Sequence, residues 1–574
     1  MSETGDLISR IYANFRGADF RGEEINLSRS PDCLNVWKDY KETESIRTRP
    51  AMKRIGEALD DTVYGIFFYN DVKLIHSGTK LYRIFGGTTT LWSGLNPAPS
   101  EAFVYEGIWY FKDGKYFLQY DGTTIKEVEG YIPTTSIARK PMGGGKTYED
   151  VNMLTPWRIN TFLADGESTE YYLDVTDFDG GTDYTPIVKV NGKVLTVMTD
   201  YNTDPENGKV IFTKAPEAPL TDGQDNVSIQ FAKTTSSDEN GHYQLAQKYR
   251  ESILKCTLLQ VFDNRVFVSG NPDHPNVVWH CSLHDPTYWS DLDYYKEGID
   301  TAAVKGIVAG NNALWVFREP SDANTTVFYH TPTIDAEYGK IYPSQHSSIT
   351  TGCVGKAVNF NDDIIFFSER GMEGISGDVT TEQAVAHRSS LVDRKMIAEA
   401  DYEKMVLAEW EGYLMVFIGN KVYLADSRTA FTYENHIEYE WFYWELEKSI
   451  TCARVHDGVL VLGADDGIYR LSDNTAPVES YWVTPKDKFK SPHKLKTTNK
   501  RGCVAEATGD ISVYAKTEDT DFELIGSYED VSDYFVCRIK RKKWKDIQLK
   551  FYSKTRFSLE TATLEAFVGG YIKR

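Results

Sequence analysis

The sequence predicts a mainly β fold: a β-propeller of about seven blades, with six to eight allowed, carrying an inserted β-sandwich and a C-terminal β module. Aromatic residues make up 13% of the chain, which suits half-buried pleated surfaces. Apolar strands, such as GIWYF, each precede a Gly-containing turn and a second strand with an aromatic residue. Four copies of this turn and second strand are SGTKLYRI at Ser77–Ile84, DGKYFLQY at Asp113–Tyr120, GNKVYLAD at Gly419–Asp426 and DGIYRLS at Asp466–Ser472. Hairpins that recur at the spacing of one small sheet are typical of propeller blades.

The 574 residues divide into five predicted segments. Residues 1–60 form an N-terminal arm with a turn-rich stretch, and residues 61–166 form the first part of the propeller. The strand pattern then changes, and the Asn191-Gly192 pair favours a type I′ hairpin, so residues 167–235 are predicted to be an inserted β-sandwich. The propeller resumes at 236–480, and a C-terminal β module occupies 481–574.

Two stretches depart from the strand pattern. Tyr131–Pro156 contains three prolines and three consecutive glycines, which predict a long loop. Ser389–Ala400 is the one helix candidate, because Leu391, Met396 and Ile397 supply apolar positions.

The chain is strongly acidic, with 84 Asp and Glu against 63 Lys and Arg and a formal charge of −21. Such a surface does not attract nucleic acid by neutralising phosphates, although DNA can slide past a repelling wall. Charge that only keeps the protein soluble fits equally well. The first 20 residues lack a signal-peptide core, and no run approaches the ~18 apolar residues that span a bilayer. We therefore expect a soluble protein made in a cytoplasm.

Two motifs invite a chemical interpretation, but a structural interpretation fits each better. GGGKT at Gly143–Thr147 resembles a phosphate loop, yet Lys140 stands where Walker A needs its first glycine, and no helical pattern follows. In HPNVVWHCSLHDPTYW, His280 and His284 can share a metal only on a helix. The prolines and β-branched residues around them favour strand and loop instead.

No catalytic constellation is recognisable. A propeller glycosidase needs two carboxylates across a sugar, but a pair such as Asp362 and Glu369 is uninformative in so acidic a chain. No GxSxG elbow occurs. The seven cysteines are odd in number, dispersed and never spaced as CxxC, so buried reduced thiols are expected. We predict no catalytic residue, no cofactor and no metal.

Two basic segments contrast with the acidic chain: KDKFKSPHKLKTTNKR at Lys486–Arg501 and RIKRKKWK at Arg538–Lys545. Such segments can dock an acidic neighbouring subunit or contact phosphates. They can equally be solvated strand edges, where lysines discourage aggregation. The sequence leaves both interpretations open.

Several long sequence segments resemble segments of bacteriophage tail proteins. RSPDCLNVWKDYKETESIRTRP is similar to the opening of phage structural propellers, in which Pro-Asp-x-Leu-Asn precedes an Arg-Pro turn. NGKVIFTKAPEAPL is similar to small sandwich modules of phage tails. The other phrases are YIPTTSIARKPMGGGKTYEDVNMLTPWRINTFLADG, NPDHPNVVWHCSLHDPTYW, KVYLADSR and FSLETATLEAFVGGYIKR. The order of these segments along the chain resembles that in the tail nozzle family, also called tail tubular protein B, of short-tailed phages.

This resemblance implies a structural virion protein, assembled in the host cytoplasm, that forms the distal ring of a tail. The ring is typically a homohexamer below the portal and adaptor proteins, with tail fibres and the host cell envelope as further partners. Genomic double-stranded DNA would be retained in its lumen and then released, without sequence-specific binding. The resemblance implies no catalysis.

We expect the lumen to be acidic or weakly charged, with both basic segments at subunit interfaces or at the rim. Long irregular loops are natural gates, and the three glycines of Tyr131–Pro156 supply hinge freedom. The predicted gate residues are Lys140, Met142, Gly143, Gly144, Gly145 and Lys146.

Two other classes of function remain open. The first is a tail-associated glycan-degrading propeller enzyme, which acids and aromatics lining one propeller mouth would indicate. The second is a fibre-docking or receptor-binding module, which an exposed aromatic patch on the insertion would indicate.

Overall fold

In a computed structural model, residues 6–39, 45–234, 249–322, 325–336, 339–376, 379, 384–433, 436–472, 476–518, 520–540 and 543–571 are described. The chain forms two compact units. Unit 1 comprises Met1–Ser93, Glu319–Val327 and Ser347–Arg574, and unit 2 comprises Gly94–Arg318 and Phe328–His346.

Five short strands open the chain and all belong to unit 1. They are β1 (Asp6–Tyr12), β2 (Cys33–Leu34), β3 (Val36–Trp37), β4 (Ile46–Thr48) and β5 (Ala51–Ile55). The predicted arm at 1–60 is therefore built into sheets: β1 to β4 join a C-terminal sheet, and β5 joins a blade.

Unit 1 contains four antiparallel sheets of four strands, in each of which consecutive strands pair. The first three are β6–β9 (Val63–Tyr69, Val72–Ser77, Lys80–Ile84, Thr88–Ser93), β33–β36 (Ala357–Phe360, Asp363–Ser368, Gly371–Ile375, Val385–His387) and β37–β40 (Val406–Trp410, Tyr413–Ile418, Lys421–Tyr433, His436–Glu445). The fourth contains β41–β43 (Cys452–His456, Val459–Ala464, Gly467–Ser472) and is completed by β5, whose Ala51 faces Ser472. The N-terminal segment thus closes the last blade.

Unit 2 contains three more sheets of the same kind. They are β10–β13 (Glu101–Tyr105, Ile108–Lys112, Phe117–Tyr120, Ile125–Glu127), β23–β26 (Leu258–Phe262, Arg265–Ser269, Val277–His280, Tyr294–Lys296) and β27, β28, β29 and β32 (Val304–Gly310, Ala313–Arg318, Val327–His330, Ser344–His346). A hairpin of β30 (Thr333–Asp335) and β31 (Gly339–Ile341) lies between β29 and β32 in the chain.

Seven four-stranded antiparallel sheets of this kind are the blades of a β-propeller. The predicted fold class is confirmed. The recurring aromatic phrases of the sequence form the third strands β8, β12, β39 and β43. Their aromatic residues pack in the core clusters: Tyr82, Phe117, Tyr423 and Tyr469.

The inserted sandwich consists of two sheets in unit 2. The six-stranded sheet has the order β15 (Lys146–Thr147), β14 (Thr134–Arg139), β16 (Trp157–Phe162), β22 (Val227–Ala232), β18 (Ile187–Val190) and β19 (Lys193–Val194). The other sheet contains β17 (Glu170–Tyr172), β21 (Lys209–Phe212) and β20 (Tyr201–Asp204). Phe162, Tyr171, Val210 and Ile229 are buried in one core shared by both sheets.

The predicted long loop at Tyr131–Pro156 is wrong. It contains β14 and β15, which pair through Ser136 and Thr147, and β14 also pairs in parallel with β16. The sheet of the insertion thus begins at Thr134, before the predicted start at residue 167. Proline and glycine conceal these strands, because Pro133 precedes β14 and Pro141 lies just after it.

The C-terminal module is a ten-stranded sheet built on the 24-residue β45 (Lys494–Thr517). Its other C-terminal strands are β44 (Ser480–Val483), β46 (Glu523–Val531), β47 (Tyr534–Cys537), β48 (Ile547–Ser553) and β49 (Phe557–Tyr571), and it also takes in β1 to β4. One core cluster joins these strands with β37–β40 and buries Trp37, Trp441, Trp444, Trp482 and Trp544.

Helix is scarce in the described residues. The structure has α1 (Tyr249–Leu254), α2 (Asp393–Met396) and a 3₁₀ turn at Tyr402–Lys404. The helix predicted at Ser389–Ala400 is thus a single turn, since such a short isolated segment gains little from propagation. None of the described helices has the length and apolar character required to cross a membrane.

Candidate functional site

The predicted gate residues form a hairpin turn of the insertion rather than a long irregular loop. The backbone N–H of Gly143 donates to the carbonyl of Lys140 at 2.8 Å, which closes the turn between β14 and β15. Gly145 has φ +94°, and a Cβ there would lie 2.7 Å from the carbonyl oxygen of Ile137. Met142 is 75% exposed at the tip. The role of this turn as a channel gate stays a prediction.

The histidine motif lies in a strand and a turn, as its prolines and β-branched residues predict. His280 ends β25, and its Nδ1 lies 3.0 Å from the carbonyl oxygen of Cys281. Burial lowers the pKa of His280 to about 4, so its ring is neutral at pH 7. His284 lies in a turn with φ +59°. Among the described residues, no group of three His, Cys, Asp or Glu side chains is arranged to hold a metal ion.

Asp362 and Glu369 do not form a glycosidase pair. They flank the two ends of β34, a six-residue strand. At ~3.3 Å per residue their backbones are roughly 20 Å apart. Paired glycosidase carboxylates lie about 5–9.5 Å apart.

An ionic network around His387 in unit 1 was not foreseen from the sequence. Nε2 of His387 lies 2.5 Å from Oδ2 of Asp393, and Nδ1 lies 3.3 Å from Oε2 of Glu373. Burial alone would lower the pKa of His387, but the two carboxylates outweigh it and raise that pKa to about 10. Ser389 Oγ donates to Asp393 rather than to the ring, so no activated hydroxyl results. The network ties β35 and β36 to α2.

A second pair is buried completely in unit 2. Nε2 of His330 lies 2.9 Å from Oε1 of Glu297, and both side chains are inaccessible to solvent. Nδ1 of His330 donates to the carbonyl of Tyr342 at 2.8 Å, and Ser344 Oγ donates to the other Glu297 oxygen at 2.6 Å. The polar side-chain atoms of the pair all have partners, and the pair links the end of β26 in one blade to β29 and β32 in the next.

The C-terminal module of unit 1 has one sheet face with several exposed apolar side chains, which we name the outer face. Ser9 and Glu565 form a polar row between its two apolar rows. Its strands lie in the order β47, β45, β49, β1. Direct partners in one row are Val536, Val504, Thr563 and Ile11. The exposed large apolar side chains of the face are Leu7 (51%), Ile11 (62%), Tyr534 (61%), Val536 (47%) and Phe567 (39%).

Strand alternation produces this face. Successive side chains point to opposite sides of a sheet, so the next row, with Cys537, Cys503 and Leu564, is buried. Leu7 and Phe567 face each other across β1 and β49. An apolar group of this kind, fixed on a rigid sheet, is typical of a protein interaction surface.

Charge differs between the two ends of the outer face. Arg501 and Arg538 are exposed at one end, where β47 stops. Asp533 is exposed at the other end, beside Tyr534. Hydrogen bonding to Glu506 raises the pKa of Tyr534. Opposite charges at its two ends favour one orientation of a charged partner on the outer face.

Part of the first basic segment is neutralised within the chain. The Lys488 ammonium pairs with Glu24, and the Lys486 and Lys516 ammonium groups lie 3.7 and 3.2 Å from carboxylate oxygens of Glu23. These contacts lie between the N-terminal segment and the C-terminal module. Sequence reasoning did not identify them, because the partners are more than 450 residues apart.

The blades make this chain a β-propeller protein. No protein-family model matches it, and the search of curated proteins found no matching relative. Similar solved structures include BamB from Moraxella catarrhalis, at 10% identity and TM-score 0.33 over 74% of this chain and 97% of that chain. Another is YCF48 bound to D1 peptide, at 6% identity and TM-score 0.34 over 74% and 98%.

An exo-beta-1,3-galactanase from Phanerochaete chrysosporium is similar at 10% identity and TM-score 0.22, over 54% of this chain and 95% of that chain. Structural similarity at these identities and TM-scores does not indicate the activity of this chain.

Proposed function

We propose that this protein is a structural subunit of a phage tail, which assembles with further copies into the distal ring through which genomic DNA is retained and released. The outer face of the C-terminal module carries the proposal. It offers large apolar side chains on a rigid four-stranded surface, which a chain acting alone would leave in water.

The connectivity of unit 1 supports a structural role. The N-terminal segment completes the last blade through β5 and supplies β1 to β4 to the C-terminal sheet. The N-terminal strand β1 therefore pairs directly with the C-terminal strand β49, over seven residues. Such long-range pairing opposes local opening, which suits a wall that retains packed DNA.

A ring needs one patch of each subunit to meet a different patch of the next, with a rotation that closes. The outer face of each copy would supply one of these two patches, and its arginine end would meet acidic residues of a different patch on the next copy. We further propose that portal or adaptor proteins and tail fibres bind the ring, and that the ring contacts the host envelope at infection.

Labelling of phage particles tests the proposal. Antibodies raised against the purified protein are expected to bind at the tail, and the protein is expected in tails purified away from capsids. A protein missing from particles would contradict it. Release of sugars from host-surface polysaccharide by the purified protein would favour the enzymatic alternative.

A further inference from the structure

We propose that Asn191 in the insertion is a site of spontaneous covalent modification, where the side-chain amide becomes a carboxylate through a cyclic imide with Gly192, and that Asn207 is protected from the same reaction. A glycine after an asparagine favours this cyclisation, because no Cβ obstructs the approach of its backbone nitrogen. The chain contains three such pairs: Asn191-Gly192, Asn207-Gly208 and Asn240-Gly241. The third pair lies outside the described residues. The modification is independent of the proposed tail function.

Water is the one co-reactant of this modification. The backbone nitrogen of Gly192 forms a bond to Cγ of Asn191, the bond from Cγ to the amide nitrogen breaks, and ammonia leaves with the proton of the Gly192 N–H. Water then opens the imide at Cγ, which gives aspartate, or at the backbone carbonyl carbon of Asn191, which gives isoaspartate. Neither step transfers electrons, so no oxidant is required.

The turn between β18 and β19 leaves both reacting groups free. Val190 and Lys193 pair directly, which makes Asn191 and Gly192 the two central residues of the turn. Their φ values of +51° and +77° fit a type I′ turn. The hydrogen bond of such a turn uses the outer residues, not the N–H of the second central residue. Within the described residues, neither the Gly192 N–H nor the Asn191 side-chain amide has a hydrogen-bond partner.

The surroundings of Asn191 give room for the imide and access for water. Asn191 and Gly192 are both exposed, and no atom lies within 4 Å of the position that a Cβ on Gly192 would take. Asn191 also lines a cavity of about 340 Å³ beside Asp200 and Lys214. The two-residue strand β19 lies at the edge of its sheet, so the turn can deform with little loss of pairing.

Asn207 is also exposed, but both of its reacting groups are held. Its side-chain amide donates to Oδ1 and Oδ2 of Asp204 at 3.1 and 2.9 Å. The N–H of Gly208 donates to the carbonyl of Pro205 at 3.0 Å. Gly208 is buried, and a Cβ there would clash with the carbonyl oxygen of Val175. Cyclisation at Asn207 must therefore first break these hydrogen bonds in a closely packed turn.

Modification of Asn191 alters the edge of the insertion. Both products add a negative charge to the cavity that Asp200 and Glu217 line. Isoaspartate also adds one methylene to the backbone of the turn, so the pairing of Val190 with Lys193 is lost. We expect β19 to detach while β18 stays in the sheet, because β18 pairs with β22 over four residues.

The test incubates the folded full-length protein at 37 °C and pH 8.5 and follows each Asn-Gly pair by mass spectrometry. Chymotrypsin cleaves after aromatic residues and leucine, which places Asn191 and Asn207 in different peptides. Modification should be at least about tenfold faster at Asn191 than at Asn207, because two or more hydrogen bonds protect Asn207.

The unfolded chain is the matched control. In guanidinium chloride the two pairs should react at similar rates, because the hydrogen bonds around Asn207 are then absent. Asn191→Gln keeps an amide at the turn but forms the imide poorly, so this position should stay unmodified. Asn207→Gln should leave the rate at Asn191 unchanged. Melting temperature checks that both variants are folded.

Equal rates at the two pairs of the folded protein, or a faster reaction at Asn207, would overturn the proposal. So would an Asn191 that stays unmodified in the folded protein while the unfolded chain reacts.

Discussion

His387 gives unit 1 a specific dependence on pH. Its pKa is raised to about 10 in the folded protein, whereas an unfolded histidine titrates near about 6.5. The folded state therefore binds its proton more tightly than the unfolded state does. The resulting stability is fully present below about pH 6.5 and is lost as pH rises towards 10.

His387→Gln should lower the free energy of unfolding by about 1–3 kcal/mol at pH 6, because Asp393 loses its cation and Glu373 keeps only Arg370, at 3.4 Å. The loss should shrink as pH approaches 10. Urea unfolding monitored by tryptophan fluorescence at pH 6, 8 and 9.5 measures it. His346→Gln, at an exposed position, is the control and should change little at any pH. A loss that does not vary with pH would contradict this account of His387.

Lys112 in unit 2 has the opposite dependence. Burial lowers the pKa of its ammonium to about 8, and Nζ donates to the carbonyl of Ile253 at 2.6 Å. The unfolded state binds the proton more tightly, so stability should rise between about pH 8 and 10.5. Lys112→Met should remove this rise, as measured by the unfolding midpoint of unit 2 at pH 7.5 and 10. An unchanged rise in the variant would show that another group causes it.

The sequence could not reveal these networks. Among 84 acidic residues, nothing local marks Glu373 or Asp393 as partners of His387, and the pairing arises only when β35, β36 and α2 pack together. The strand and turn conformation of the GGGKT and histidine motifs was predictable, because local proline and β-branched residues disfavour helices.

Gly17 governs how the N-terminal segment packs on β40. Its φ is +86°, and a Cβ would lie 2.1 Å from the carbonyl oxygen of Trp441. That carbonyl accepts a hydrogen bond from the N–H of Ala18 at 2.6 Å. Close approach of two backbones therefore excludes any side chain at this position.

Gly17→Ala should destabilise unit 1 by at least about 1–3 kcal/mol, from backbone strain before the clash is added. Gly22→Ala is the control, since no atom lies within 4 Å of its Cβ position. Thermal unfolding of both variants measures the difference. Equal melting temperatures for the two would contradict the packing described for the N-terminal segment.

The hairpins of the blades were predictable, because turn glycines and aromatic strands are local signals. The role of β5 was not, because its partner β43 lies more than 400 residues away and no local pattern encodes that pairing. The outer face was missed for the same reason: Ile11 and Val536 look like ordinary strand residues until their register places them in one exposed row.

Assembly of the whole protein should depend on that row. Ile11→Lys together with Val536→Lys should dissociate the oligomer, because burial of two ammonium groups in an apolar contact is costly. Leu220→Lys, at a fully exposed position of the insertion, should leave assembly unchanged. Sedimentation velocity distinguishes the species. Oligomers of equal size in both variants would show that the subunit contact does not lie on the outer face.

The most direct test of the ring is cryo-electron microscopy of the purified assembly. We expect closed rings with rotational symmetry, in which the outer face of the C-terminal module is buried between neighbouring copies around an open lumen. A stable monomer at micromolar concentration, or a closed ring that leaves the outer face in solvent, would contradict the account.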